Sequence, residues 1–537
     1  MSGFDPLGWL LGKEQRRAYE RARAAELPKL VPAKGPDALL EKARRRVDGP
    51  NAFTFGTLPS GARVDVSADI ALMSALVIGA SGSGKTRFLL GLILELLRRL
   101  FSSPAVDVEL EIVDPKAETV LLVQQAVAAM YLRADARLRE RIRRRVQVIE
   151  WSRGAVSPFA PFDNADGLVS NAYLAYLRTD VTVQASPSSY SEPLRQALFM
   201  LSWLLTEKRF PPNVRFVSRL FSDAAFRARV VADVAEPDLR AYFLELERTL
   251  ARPTADALLR RLQTDLAFPE LRLSIGIPPA DLGTVLPKQD PRVVLGNYGS
   301  AMALPPSKGF ERAAHRVTDV LLRAPRRDPK RPGLLILEEA PTLLSGSSEL
   351  VEPLSTGART LRSVGLGIIF CGQDVANALP SPMVRTLQLN TRWLALFRSH
   401  EEASWIYPHV VADEALASLG EGERQKEFRR HVESLARQRY YLLVKGEPAL
   451  PVIAPTIPDI PTLCGISEAE LLDVFRREVA SRSMVPAKVA ADLIARWEAD
   501  VVDRAAVPPT PLKPKAAPPA AGIADLLARL AAPKKGA

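Results

Sequence analysis

The sequence predicts an α/β protein: a mainly parallel sheet with helices on its faces, plus an all-helical insertion. Three observations carry this. Short apolar runs alternate with helix-periodic segments, as in strand–helix–strand crossovers. One of them, Ala75-Leu-Val-Ile78, passes through a glycine-rich octapeptide into a long apolar helix. The alternation then stops, and residues 166–289 carry helical periodicity instead.

The elements follow in order. Residues 1–50 read as an N-terminal helical arm, rich in Arg, Ala and Glu over Lys13–Glu26. From residue 51, FTFGTLPSGARVDV alternates around turn residues, as short strands do. The strand at 75–78 and its helix come next. A second strand spans Val108–Val113 and ends in Asp114-Pro115-Lys116. A helix is expected over 117–145 and a third strand at Val146–Ile149. Strand character returns at Arg292–Gly296, Gly333–Leu337, Gly365–Phe370 and Trp393–Phe397, all buried-type runs. Tyr440–Val444 is expected to be the last strand. The expected domain thus comprises 51–165 and 290–465, with C-terminal helices at 466–505. A tail at 506–537 has six prolines within residues 508–519. It reads as a semi-rigid tether ending in a short amphipathic segment, either a docking peptide or a frayed end.

Composition narrows the function. The chain has 537 residues, 47% hydrophobic and 25% charged, which supports a large core and excludes bulk disorder. Two distant cysteines, Cys371 and Cys464, exclude a disulfide scaffold and a zinc ribbon. No apolar run approaches the roughly 20 residues of a membrane span. The N-terminus lacks the order of a signal peptide, so a cytoplasmic protein is expected. Phe4, Leu7, Trp9, Leu10 and Leu11 leave open a peripheral membrane contact or a partner contact through the arm. A net charge of +11 favours a polyanionic partner, nucleic acid first.

The octapeptide with its flanks carries the chemistry. Gly79-Ala80-Ser81-Gly82-Ser83-Gly84-Lys85-Thr86 fits GxxxxGK[ST] between a strand and a helix. Glycines let backbone N–H groups turn inward around phosphate oxygens, and the helix directs its positive end at the same anion. Lys85 would neutralise the β- and γ-phosphates of ATP, and the Thr86 hydroxyl would ligate Mg²⁺. The apolar strand Leu334–Leu337 runs into Glu338-Glu339. The first carboxylate is expected in the Mg²⁺ shell, and the second to polarise the attacking water. Gln373 ends the next buried strand, where an amide can sense the γ-phosphate. Arg359 and Arg362 precede that strand. Each is either an arginine finger for a neighbouring subunit or a solvated arginine. Arg133–Arg145 holds seven arginines against two acids, a helix face for solvent or for DNA.

The order of LVIGASGSGKT, IVDPKAE, LLILEEAP, RTLRSVGLGIIFCGQ and LNTRWLALF resembles the HerA/FtsK superfamily of DNA-pumping ATPases. Asp114-Pro-Lys-Ala-Glu118 with the later SPFAPFD looks like type IV secretion coupling proteins of the TraG/TraD type. Glu338-Glu339-Ala340 looks more like HerA. Three departures stand out: Ala117 replaces a usual glycine, Glu338 a more common aspartate, and no transmembrane anchor is expected from these residues. The resemblance implies a RecA-like P-loop NTPase fold and a ring, a homo-hexamer in the family. It also implies ATP between subunits and DNA gripped without sequence specificity. An ATP-driven DNA or nucleoprotein translocase is the leading expectation. The alternatives are a HerA-like motor working with a nuclease, and an ATP-dependent assembly platform. A partner protein is expected at the N-terminal arm or the C-terminal tail.

Overall fold

The computed structural model describes residues 52–103, 106–151, 154–158, 192–287, 289–299, 306–324, 327–328, 330–345, 361–410 and 420–504. The N-terminal arm, the C-terminal tail and Arg359 lie outside them. Two compact units emerge. Among the described residues, one is drawn from 52–158 and 283–487, and the other from 192–282 and 488–504.

The first unit is built on strands β1 (Ala52–Thr57), β2 (Arg63–Ser67), β3 (Ala75–Ile78), β4 (Glu109–Asp114), β5 (Val146–Ile149), β6 (Ala155–Val156), β7 (Val293–Asn297), β8 (Gly333–Leu337), β9 (Leu366–Gly372), β10 (Trp393–Leu396), β11 (Arg439–Val444), β12 (Leu450–Ile453) and β13 (Val485–Pro486). Eleven form one sheet in the order β2-β1-β12-β11-β10-β3-β9-β8-β4-β7-β5. From β10 to β5 every neighbouring pair is parallel. From β10 outward to β2 every pair is antiparallel. The arrangement is that of a RecA-like P-loop NTPase, with one strand, β9, between the loop-bearing β3 and the acid-bearing β8. Strand β11 is not the last: β12 returns beside it, and β13 pairs with β6 in a small second sheet. Pro451 and Pro486 sit in these two late strands, at positions that weaken a strand reading.

Three helices matter for the site: α1 (Lys85–Ser102), α2 (Glu118–Arg133) and α3 (Ala136–Arg145). Helix α1 is buried along most of its length. Its Phe88 meets Phe55, Trp393, Phe397 and Tyr440 at centroid separations of 5.0–6.2 Å. Tyr440 Oη donates to Phe55 O at 2.8 Å and Trp393 Nε1 to Ala71 O at 3.4 Å, so both polar side-chain atoms of this cluster have partners. Each such buried ring contributes about 1.5–3 kcal/mol, which fixes the glycine loop's helix on the sheet.

The single helix expected over 117–145 is two. Asp135 accepts from Leu138 N and caps a new helix after α2 ends. The arginine run on α3 serves the ends of other helices. Arg139 donates to Tyr131 O and Leu132 O, each at 3.1 Å, Arg141 to Phe101 O at 2.5 Å, and Arg145 to Leu100 O. These carbonyls lie in the last turns of α1 and α2, where intrahelical donors run out. Arg143 pairs with Glu478. Arg133, Arg137 and Arg144 stay exposed.

The helix Glu468–Glu478, expected within a C-terminal set, packs on α2, and Tyr131 Oη donates to Glu478 Oε2 at 2.7 Å. A capping box between Ser467 and Glu470 starts it. The second unit is helical among the described residues. Its helices include Glu192–Lys208, Val214–Ser222, Ala224–Val231, Pro237–Leu244, Arg252–Asp265 and Pro269–Gly276. The segment from Lys488 belongs to this unit. Trp497 packs there on Phe210 and Phe216 at 5.5 and 5.7 Å. No described helix is long and apolar enough to cross a membrane.

Candidate active site

Register gathers the site. Ile78 of β3 lies opposite Gly372 of β9, Phe370 of β9 opposite Leu337 of β8, and Leu337 opposite Val113 of β4. Four strands therefore end on one edge. The glycine loop, Gln373, the two glutamates and Asp114–Lys116 leave the sheet there, as ligand sites in parallel sheets do. They line one cleft of about 360 Å³, together with Thr86, Arg87, Glu118, Thr119 and Arg437.

The loop is fixed by backbone bonds and by the side chains of Gln373, Lys85 and Arg398. Gly79 N donates to Gly372 O at 3.2 Å and Ala80 N to Arg398 O at 2.7 Å. Ser81 N donates to Gln373 Oε1 at 3.1 Å, so the amide of Gln373 touches the loop directly. Gly84 caps α1 at φ +112°. A Cβ there would come within 3.0 Å of the Gln438 backbone, and only glycine tolerates both conditions. The Lys85 ammonium donates to Gly79 O at 2.6 Å and to Ala80 O at 3.0 Å, which holds its charge over the loop. The first turn of α1 offers N–H groups with no intrahelical acceptor. A phosphate chain is the natural guest of this array.

The two adjacent glutamates occupy opposite environments. Glu338 is 8% exposed and accepts from Thr119 Oγ1 at 2.5 Å. Burial first, and then the nearby Asp114 charge, push its carboxyl up to about 7. Asp114 is itself raised by burial, against four backbone donors that favour its ionised form. Lys116 N and Ala117 N donate to Oδ1, and Thr119 N and Val120 N to Oδ2. Asp114 thereby starts α2 and shapes the β4–α2 turn. Glu339 adopts φ +52°. Its Oε1 receives the Lys116 ammonium at 2.7 Å.

Mg²⁺ fits this donor set on one observation: a buried carboxylate whose ionised form is costly without a cation beside it. Among the described residues no group of three or more His, Cys, Asp or Glu could form a cation cage.

Among the residues singled out from sequence, the loop 79–86, Glu338, Glu339 and Gln373 meet at this edge. Arg362 does not: it precedes β9, at the opposite end of the strand from Gln373. Sequence reasoning assigned no role to Lys116, Thr119 or Arg437. Lys116 and Thr119 lie in or beside the Asp-Pro-Lys-Ala-Glu run, which was a signal. Arg437 comes from an irregular turn whose Gln438 N binds Ser83 O at 2.8 Å, and nothing in its sequence marked it.

No protein-family model matches the chain, and no curated protein matches its sequence. Among solved structures it is similar to VirB4 of Thermoanaerobacter pseudethanolicus, at 12% identity and a TM-score of 0.48, over 77% of this chain and 98% of that one. It is similar to the plasmid coupling protein TrwB in complex with ADP and Mg²⁺, at 15% identity and a TM-score of 0.46, over 78% and 92%. It is also similar to the cytoplasmic domain of the Thermomonospora curvata type VII secretion ATPase EccC, at 15% identity and a TM-score of 0.29, over 80% and 31%.

Proposed function

We propose that this protein hydrolyses ATP and uses the energy to move DNA or a nucleoprotein, in the manner of a coupling protein working as a ring. The observation that carries the ATPase reading is the single cleft shared by Lys85, Thr86, Glu338, Glu339 and Gln373. In that reading the loop amides and Lys85 bind the phosphates. Thr86 and Glu338 hold Mg²⁺, which when bound offsets the charge of the phosphate oxygens. Glu339 accepts a proton from the attacking water through its carboxylate. Gln373, already bonded to Ser81 N, is placed to pass a change at the γ-phosphate into β9. The DNA part is supported by the motif order and by the net charge of +11. In the ring reading, an arginine of a neighbouring subunit, Arg359 or Arg362, completes the site.

The deciding experiment measures ATP turnover of the full chain with and without single- and double-stranded DNA. Stimulation by either supports the motor. ATP binding with no stimulation favours an assembly platform. Glu338-Glu339-Ala340 favours a second motor reading, a HerA-like pump paired with a nuclease. A nuclease among the neighbouring genes, instead of a relaxase and secretion components, would select it.

A further inference from the structure

We propose that Lys116 is a positioning residue for Glu339, holding one oxygen of the water-accepting carboxylate so that the other is presented to the cleft. The inference rests on the ATPase reading and goes beyond it, because the lysine belongs to neither the phosphate loop nor the acidic pair.

Three observations carry it. The first is the contact itself. Lys116 and Glu339 leave the neighbouring strands β4 and β8, and Nζ stands 2.7 Å from Oε1. Among the described residues, Oε2 takes no hydrogen-bond partner. The second is the mounting. Asp114 fixes the backbone on either side of the lysine through its four N–H acceptances. Gly299 lets another segment press against the same turn: a Cβ there would lie 2.5 Å from Pro115 O and 2.6 Å from Lys116 C.

The third is strain. Ala117 stands at φ +67° and Glu339 at φ +52°, both left-handed and neither glycine. Such a conformation costs about 1–2 kcal/mol per residue. Lys116 and Glu339 have side chains 45% and 21% exposed. An ion pair that open to water returns about 0–1 kcal/mol. The pair therefore does not offset the backbone cost through stability. Strain of this kind, retained on both sides of one contact, belongs to function.

The test uses the full chain as wild type, Lys116→Met, Lys116→Arg, Glu339→Gln and the double variant Lys116→Met/Glu339→Gln. It reads kcat, KM and affinity for a fluorescent ADP. Expected for Lys116→Met is a kcat lower by about 10- to 100-fold, with KM and ADP affinity within about twofold of wild type. Lys116→Arg should recover most of the turnover. On the Glu339→Gln background the methionine should cost nothing more, because the carboxylate it positions is gone. Wild-type kcat in Lys116→Met would overturn the proposal. So would lost ADP affinity, which makes the lysine a phosphate ligand, or faster turnover, which makes it a latch. A fully additive loss in the double variant would overturn it too. A wild-type chain that binds ADP but hydrolyses no ATP would overturn the ATPase reading itself, a result distinct from all of these.

Discussion

Replacing Glu338 by glutamine should stabilise the protein at alkaline pH while disabling it. The carboxyl is moved from an ordinary 4.5 to about 7, chiefly by burial. That shift disfavours the ionised form in the fold by on the order of 3 kcal/mol. The sign follows from proton counting. Between pH 4.5 and 7 the folded protein keeps a proton that the unfolded chain has released. Stability therefore falls as pH rises through that window, and the whole cost is present above it. Glutamine removes the cost, and its amide oxygen can still accept from Thr119 Oγ1. Denaturant unfolding at pH 5 and pH 8 checks this. The variant should gain up to about 3 kcal/mol over wild type at pH 8 and only about 1 kcal/mol near pH 5. ADP should protect wild type better when Mg²⁺ is added, and the variant hardly so. A variant less stable than wild type at pH 8, or a difference independent of pH, would refute the reasoning.

Other expectations follow from the same geometry. Lys85→Ala removes the charge held over Gly79 O and Ala80 O. It should weaken ADP binding about 100-fold in a fluorescence titration, and unchanged affinity would count against the phosphate site. Glu339→Gln should bind ATP normally and lose turnover by about 10²–10⁴-fold; normal hydrolysis would remove Glu339 from its assigned role. Arg141→Ala leaves Phe101 O without its guanidinium and should cost about 1 kcal/mol of stability. The salt dependence of DNA binding should not change, and a slope reduced by about one would place Arg141 on DNA instead. Deleting residues 508–537 should leave ATP turnover intact, and a collapse of activity would contradict a tethered docking tail.

Much of the centre was legible because it is simple. Ala75–Ile78 and Gly333–Leu337 are uninterrupted apolar runs, and the strands coincide with them. Strands buried on both faces have no alternation to confuse the reading. The periphery was harder. Strand β12 carries Pro451, and it exists because β11 turns back on itself at the antiparallel flank, a tertiary event. The break between α2 and α3 was written locally, in Asp135 as an N-cap, but a dense arginine pattern ran across it. Those arginines read as a helix face for solvent or for DNA. Three of the seven, Arg139, Arg141 and Arg145, bind the carbonyls of Leu100, Phe101, Tyr131 and Leu132, which no periodicity reveals. Lys116 escaped notice for a related reason. Its partner is 223 residues away, and the two meet only because β4 and β8 pair in parallel with matched ends.

Glu338 and Glu339 show how one backbone step separates two chemistries. The residues are identical in type and adjacent in sequence, so propensity and composition cannot tell them apart. Glu338 continues the line of β8, its N–H bonded to Val113 O at 3.0 Å, and its carboxylate enters the interior beside Thr119 and Asp114. Glu339 then takes φ +52° instead of continuing the strand. That turn carries its side chain out to the cleft and to Lys116. Burial makes the first carboxylate a group that needs a cation. Exposure with one oxygen already engaged suits the second to receive a proton from water. Pairs of carboxyls placed in opposed environments are how a site divides its roles, and here the division depends on a left-handed residue at position 339.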